Sequence, residues 1–204
     1  MSNTMNFNIL KSLVEDFVNN IEKKLYLSIQ EKTDNITPKL EKVLNAFSNY
    51  HLNVQHFSSL TGYGHGDCGR DIIDKIFADI LEAEKAAVRL QLVSGTHAIA
   101  SSLFGVLRPG DKFLSVTGRP YESLEEVIGL RGSGQGSLIE FGISYDEILL
   151  QENGNIDFFA LEKALNIPRK LIFIQRSCGY TWRPSLSIKI IKEICDLCHK
   201  IQPD

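Results

Sequence analysis

Val93-Ser94-Gly95-Thr96-His97-Ala98 is the stretch that decides the expected fold of this chain. It follows a short apolar segment, 87–93, that predicts a strand, and it leads into a helical pattern over 98–107. A second strand is predicted at 112–116, after a turn. Strand, turn, helix and strand in this order are typical of an α/β domain with a parallel sheet.

The same stretch is also a candidate anion site. The start of a helix offers unpaired amides and the positive end of the helix dipole. Gly95 would let an anion approach the backbone, and the hydroxyls of Ser94 and Thr96 would add hydrogen-bond donors. The run therefore indicates a phosphate site, and a plain helix N-cap made by serine or threonine is the alternative.

Alternation of helices and strands continues towards the C-terminus. The patterns predict helices at 121–130, 157–166 and 186–201 and strands at 137–141, 146–150 and 170–175. Loops are expected at 132–136 and 176–184. Residues 70–204 are accordingly expected to form one α/β domain.

The N-terminal part of the chain has a different pattern. Apolar residues at helical spacing predict two helical pieces within the first fifty residues, the second of them opened by Pro38. A polar loop over 51–69 and an amphipathic helix from Asp71 are expected to follow. Residues 1–69 are thus expected to form a helical N-terminal segment with an interface loop.

Tyr121 strengthens the prediction of a phosphate site. It closes the run Thr117-Gly118-Arg119-Pro120-Tyr121, which leads from the second predicted strand into a helix. Consecutive strands of a parallel sheet end at the same edge, so Tyr121 is expected near the Ser94–His97 turn. An aromatic face beside a phosphate cradle suits a phosphorylated heteroaromatic cofactor. A tyrosine that only anchors its helix to the sheet is the alternative.

Several longer motifs follow one another in order along nearly the whole chain. They are Gly62-Tyr63-Gly64 with Gly69-Arg70-Asp71, the run from Val93 to Ala100, the run from Phe104 to Asp111, Gly118-Arg119-Pro120-Tyr121, and Gln175-Arg176-Ser177 with Trp182-Arg183-Pro184-Ser185. Together they resemble the methionine gamma-lyase and cystathionine beta-lyase-like proteins associated with aluminium resistance. The run His65-Gly66-Asp67-Cys68 departs from that family's pattern, which leaves a role for His65 open.

The resemblance implies a fold-type I enzyme, with a large domain like that of aspartate aminotransferase and with pyridoxal phosphate as cofactor. It implies that Ser94, Gly95 and Thr96 bind the phosphate and that Tyr121 stacks on the pyridine ring. Tyr63 would reach the phosphate of the neighbouring subunit, so a homodimer or homotetramer is expected. The resemblance also places Ser177 near the cofactor and Arg176 near an amino-acid substrate.

The same resemblance implies an aspartate at the pyridine nitrogen and a lysine that binds the cofactor covalently, and neither has a counterpart here. Lysines 170, 189, 192 and 200 do not match the lysine motif. We therefore expect the N-terminal fragment of a pyridoxal-phosphate-dependent carbon–sulfur lyase, acting on a sulfur amino acid of the cystathionine or methionine type and inactive alone. The alternative is a non-catalytic cofactor-binding or interaction module.

Composition limits the other classes of function. A formal net charge of −3 without a long basic run gives little reason to bind nucleic acid or an anionic membrane. The first ten residues lack the apolar run of a signal peptide, so a cytoplasmic protein with reduced cysteines is expected. Cys195-Asp196-Leu197-Cys198-His199 has the spacing of a haem or redox motif, but helical spacing predicts that both thiols face the core. No metal site is expected.

Overall fold

The computed structural model of the chain describes residues 7–58 and 66–203. These residues belong to two compact units, one up to Leu90 and one from Gln91 onward. Within the described ranges, none of the helices combines the length and the apolar content needed to cross a bilayer.

The first unit is helical. It contains α1 (Phe7–Asn49), a short 3₁₀ helix (Val54–Phe57) and α2 (Cys68–Leu81). Asp67 caps α2, because its carboxylate accepts the backbone N–H of Arg70 at 2.9 Å. Ala46 of α1 and Ile76 of α2 are the buried apolar residues of this unit among those described.

The prediction of two helical pieces is wrong, because α1 runs through Pro38 without a break. Proline removes one helical hydrogen bond, and it ends a helix only where nothing compensates for that loss. The carbonyl that Pro38 leaves without its helical donor is that of Asp34, four residues earlier, and residues 31–40 are exposed, so water can bind it.

The second unit is the α/β part that the sequence predicts. It contains α3 (Gly95–Val106), β1 (Lys112–Ser115), α4 (Glu122–Ile128), β2 (Ser144–Glu147), α5 (Phe158–Ala164), β3 (Leu171–Phe173) and α6 (Ile188–Ile201). The three strands form a parallel sheet in the order β2-β1-β3. Lys112 pairs with Ser144, and Phe113 pairs with Leu171.

Helices cover both faces of this sheet. Successive side chains of a strand point to opposite faces, so Phe113 and Leu114 enter different cores. Phe113 packs with Leu103 of α3, with Leu107 just after that helix, and with Leu124 and Ile128 of α4. Leu114 packs with Leu161 of α5, with Leu165 just after that helix, and with Ile194 and Cys198 of α6. The α/β prediction is confirmed, with the central strand buried between two helical layers.

The strand predicted at 87–93 is wrong, since the described chain is irregular there. A strand forms only where a neighbouring strand hydrogen-bonds to its backbone. Here a side chain binds the backbone instead. The Asp74 carboxylate accepts the N–H of Val88 at 2.7 Å and pairs with the Arg89 guanidinium at 2.7 Å. Leu90 and Val93 stay exposed.

The strand predicted at 137–141 is also wrong, because this segment forms turns. Its amides bind the last carbonyls of α4: Leu138 donates to Val127 and Ile139 to Ile128, each at 3.0 Å. Leu138 is fully buried, which explains the apolar pattern without a strand. The strand predicted at 146–150 begins earlier, at Ser144, and the one predicted at 170–175 is confirmed as the shorter β3.

Candidate functional site

A cleft of about 700 Å³ lies in the second unit, where β1 and β3 end and α3 begins. Its lining combines the predicted residues Gly95, Thr96 and Tyr121 with others to which the sequence assigned no role: Ile99, Arg119, Pro120, Glu122, Ser123, Gln175, Cys178, Gly179, Tyr180 and Thr181. The cleft therefore lies at the carboxyl edge of a parallel sheet, the position where α/β proteins bind ligands.

The N-terminus of α3 forms one wall of the cleft. Ser94 is its N-cap, and its hydroxyl oxygen accepts the N–H of His97 at 3.1 Å. Among the described residues, no acceptor binds the N–H groups of Gly95 and Thr96. Two free amides at the positive end of a twelve-residue helix can bind an anion.

Hydroxyl groups add donors next to these amides. The Thr96 hydroxyl lies 2.7 Å from the hydroxyl of Ser123, which belongs to the first turn of α4. Both residues line the cleft. The two helices therefore bring two hydroxyls together where the sequence pointed to one threonine.

Tyr121 also lines the cleft, as the N-cap residue of α4. Its N–H donates to the side-chain oxygen of Gln175 at 3.1 Å, and its hydroxyl contacts the Ser177 hydroxyl. The side chain is 37% exposed, which leaves part of the ring open to the cleft. Gln175 and Ser177, which hold Tyr121, both belong to the segment after β3.

Arg119 is the cationic side chain among the lining residues. Its Nε lies 3.6 Å from a carboxylate oxygen of Glu125 and 3.8 Å from one of Glu147. The guanidinium is 55% exposed, whereas both carboxylates are largely buried. Because two carboxylates offset its charge, Arg119 contributes little net positive potential to the cleft.

Arg176, Tyr63 and His65 are the remaining residues considered from the sequence. Arg176 is exposed and is not among the lining residues, so its role towards a substrate stays a prediction. Tyr63 and His65 lie outside the described residues. No lysine lines the cleft within the described chain.

Sequence reasoning missed the roles of Ser123 and Gln175 in the cleft, although Gln175 stands in one of the quoted motifs. Ser123 follows Tyr121 by two positions, and Gln175 ends a predicted strand. The rule that parallel strands end at one edge placed Tyr121 near Thr96, and the same rule applied to the third strand would have found Gln175.

Cys198 contributes to the core of the second unit. It is 9% exposed and packs with Leu161 and Ile194, whereas Cys195 is half-buried. Burial raises the pKa of the Cys198 thiol, which keeps it in the unreactive protonated form. The prediction that both thiols face the core is confirmed for Cys198, whereas Cys195 is only partly buried.

Thiol labelling should follow this burial. In the folded protein, iodoacetamide is expected to modify the exposed Cys68 at least about tenfold faster than Cys198, because only an accessible thiolate reacts. Peptide mass spectrometry at several times would measure both rates. In urea the two rates should converge, and equal rates in the folded protein would contradict the burial of Cys198.

The fold and the cleft together define a class of protein. It is an α/β protein whose parallel sheet has a cleft at the carboxyl ends of its strands, with a helix N-terminus in the wall. The sequence model of the methionine gamma-lyase family matches residues 14–204. The chain belongs to this family, which confirms the resemblance seen in its motifs.

Relatives of known structure agree with this membership. A Listeria innocua protein, named provisionally as a cystathionine beta-lyase involved in aluminum resistance, is 44% identical with a TM-score of 0.87 over 93% of this chain and 47% of its own. A carbon-sulfur lyase involved in aluminum resistance from Clostridium novyi is 38% identical with a TM-score of 0.81, over 98% of this chain and 50% of its own.

A curated relative is similar over much of the chain. The uncharacterized protein YnbB of Bacillus subtilis is 45% identical over 168 residues, which are 81% of this chain and 40% of that protein. The chain spans about half the length of the two solved relatives and less of YnbB.

Proposed function

We propose that the cleft between α3 and α4 binds pyridoxal phosphate, and that the chain supplies this part of a carbon–sulfur lyase acting on a sulfur amino acid. One observation carries the proposal: the free amides of Gly95 and Thr96 line the same cleft as the partly exposed ring of Tyr121. The names of the solved relatives support the lyase class.

The residues present fit the phosphorylated end of such a cofactor. A side chain at Gly95 would meet no atom within 4 Å, so an anion has room to reach the helix amides. The Thr96 and Ser123 hydroxyls, 2.7 Å apart, supply two further donors. This donor set matches the acceptor oxygens of a phosphate and needs no lysine or arginine.

Tyr121 would orient the ring. Its amide and its hydroxyl are both bound to the segment after β3, so its ring plane is held before a ligand arrives. An aromatic side chain held in this way stacks on a heteroaromatic ring at a small entropic cost. Pyridoxal phosphate, when bound, supplies an electron sink for the amino-acid carbon that loses a proton.

The cleft residues are assigned to binding and orientation. No lysine lines the cleft in the described part of the chain, so these residues hold the cofactor through noncovalent contacts. We expect the chain by itself to release no thiol from cystathionine or methionine. Thiol release by the purified chain, followed with a thiol reagent, would contradict that assignment.

We extend the proposal to the fold type and the assembly. The parallel sheet in the order β2-β1-β3 and the match to relatives support a fold-type I large domain. A second copy of the chain, as homodimer or homotetramer, would bring Tyr63 to the phosphate. Sedimentation equilibrium with and without pyridoxal phosphate would measure the state of assembly.

Gly95→Asp tests the phosphate site. A side chain fits at this position without a clash, so the variant should fold. The new carboxylate would repel the phosphate and occupy the free amides, and affinity for pyridoxal phosphate should fall roughly a hundredfold. Quenching of the single tryptophan, Trp182, would report binding.

Gly105→Asp is the matched control. Gly105 lies in the last helical turn of α3, is exposed, and has equally open space for a side chain. It adds the same charge to the same helix, away from the cleft, and should bind pyridoxal phosphate like the unchanged protein. Similar losses in both variants, or in neither, would contradict the site.

A further inference from the structure

Gln175 joins two of the segments that border the cleft. It is the second residue after β3, and the oxygen of its side-chain amide accepts the N–H of Tyr121 at 3.1 Å. The nitrogen of the same amide donates to the Ser177 carbonyl at 3.3 Å. One side-chain amide thus uses its acceptor on the segment after β1 and its donor on the segment after β3.

The backbone of Gln175 is itself fixed from both sides. Its N–H donates to the Thr117 hydroxyl at 3.0 Å, and its carbonyl accepts from the Arg183 guanidinium at 3.1 Å. Arg183 also donates to the Ser177 carbonyl at 2.7 Å. A residue held at backbone and side chain transmits its position to whatever its side chain binds.

Tyr121 is held at its carbonyl, at its side chain and at its N–H. The carbonyl accepts the N–H groups of Leu124 at 2.8 Å and Glu125 at 3.1 Å, where α4 begins. The Tyr121 hydroxyl contacts Ser177, and the ring edge lies beside Gly179, where a side chain would come within 3.4 Å of the ring. As the N-cap residue of α4, Tyr121 makes no side-chain capping bond. Its backbone N–H is held by the side-chain oxygen of Gln175.

We infer that Gln175 is the positioning residue that fixes Tyr121 in the plane required for stacking on the cofactor ring. The role of Tyr121 in stacking rests on the proposed function. The hydrogen bond between Gln175 and Tyr121 is present without any ligand. Gln175 touches the tyrosine backbone and orients the ring through it. Gln175 is thus a positioning residue and not a catalytic one.

Two variants test whether the side-chain oxygen of Gln175, which accepts the Tyr121 N–H, is what matters. Gln175→Met keeps the length and removes both hydrogen bonds, whereas Gln175→Glu keeps an acceptor for the Tyr121 N–H. Gln135→Met is the control, since Gln135 is exposed in the loop before Ser137 and its side chain makes no hydrogen bond within the described residues. All three would be made in the full chain.

Hydrogen exchange of the Tyr121 amide, measured by NMR without any ligand, is the primary test. Exchange should become about tenfold faster or more in Gln175→Met and stay near the original rate in Gln175→Glu and Gln135→Met. With pyridoxal phosphate bound at saturation, the circular dichroism that the fixed ring induces in the cofactor should fall in Gln175→Met alone. Unchanged exchange in Gln175→Met overturns the inference, as does equal acceleration in Gln175→Glu.

The outcomes keep this inference distinct from the proposed function. A chain that binds no pyridoxal phosphate overturns the proposed function, while the exchange rates still decide whether Gln175 holds Tyr121. Cofactor binding that is lost in Gly95→Asp, together with an induced signal unchanged in Gln175→Met, upholds the phosphate site and overturns the positioning role.

Discussion

Replacing Phe113 by alanine is expected to lower the free energy of unfolding by about 3–5 kcal/mol. Phe113 is fully buried on β1, the central strand of the sheet. Its ring centroid lies 5.3 Å from that of Tyr145 and 5.7 Å from that of Phe173, so the side chain joins all three strands. Removing it leaves a cavity that two rigid neighbouring strands cannot close.

Phe159→Ala is the control for this prediction. Phe159 lies in α5 with 79% of its side chain exposed, so its removal should change the free energy of unfolding by no more than about 0.5 kcal/mol. Urea unfolding followed by circular dichroism would measure both variants. Equal losses would contradict the assignment of Phe113 to the core between the sheet and the helices α3 and α4.

Gly129→Ala is expected to lower the free energy of unfolding by about 2–4 kcal/mol. Gly129 ends α4 with φ at +101°, where residues with a side chain are strained. A side chain there would also lie 2.5 Å from the Ser137 hydroxyl oxygen and 3.0 Å from its Cβ. Ser137 is 2% exposed and cannot move aside freely.

Gly134→Ala separates the two causes. Gly134 has a similar positive φ of +71°, but a side chain there would meet nothing within 4 Å. This variant should lose only about 1 kcal/mol, the cost of the left-handed conformation. Thermal unfolding of both proteins would test the difference. If Gly129→Ala loses no more than Gly134→Ala, the contact with Ser137 is not what requires glycine.

The errors in the predicted elements have a common physical cause. Residues 87–93 and 137–141 carry apolar side chains at strand-like spacing, yet neither forms a strand. A strand requires a backbone partner, and no local pattern reveals where that partner is. In the first segment the Asp74 carboxylate takes the Val88 amide, and in the second the end of α4 takes the amides.

The helix starts were predictable because their signals are local. Ser94, Asp157 and Ser187 each stand immediately before a helix, and each accepts a backbone N–H from within it. Capping acts over three residues, so the sequence contains both partners. Pro38 shows the limit of such signals, since the helix continues through it in an exposed stretch where water can bind the freed carbonyl.

The sequence by itself determined the α/β class, the family and the Ser94 cap at the start of α3, because these follow from periodicity, ordered motifs and local capping. Only the tertiary structure decided that Ser123 lies against Thr96 and that Gln175 and Ser177 hold Tyr121. These contacts join residues that are 27 to 56 positions apart. Contacts over such separations arise when parallel strands end at one edge of a sheet, and the local pattern of a sequence does not specify which side chains then meet.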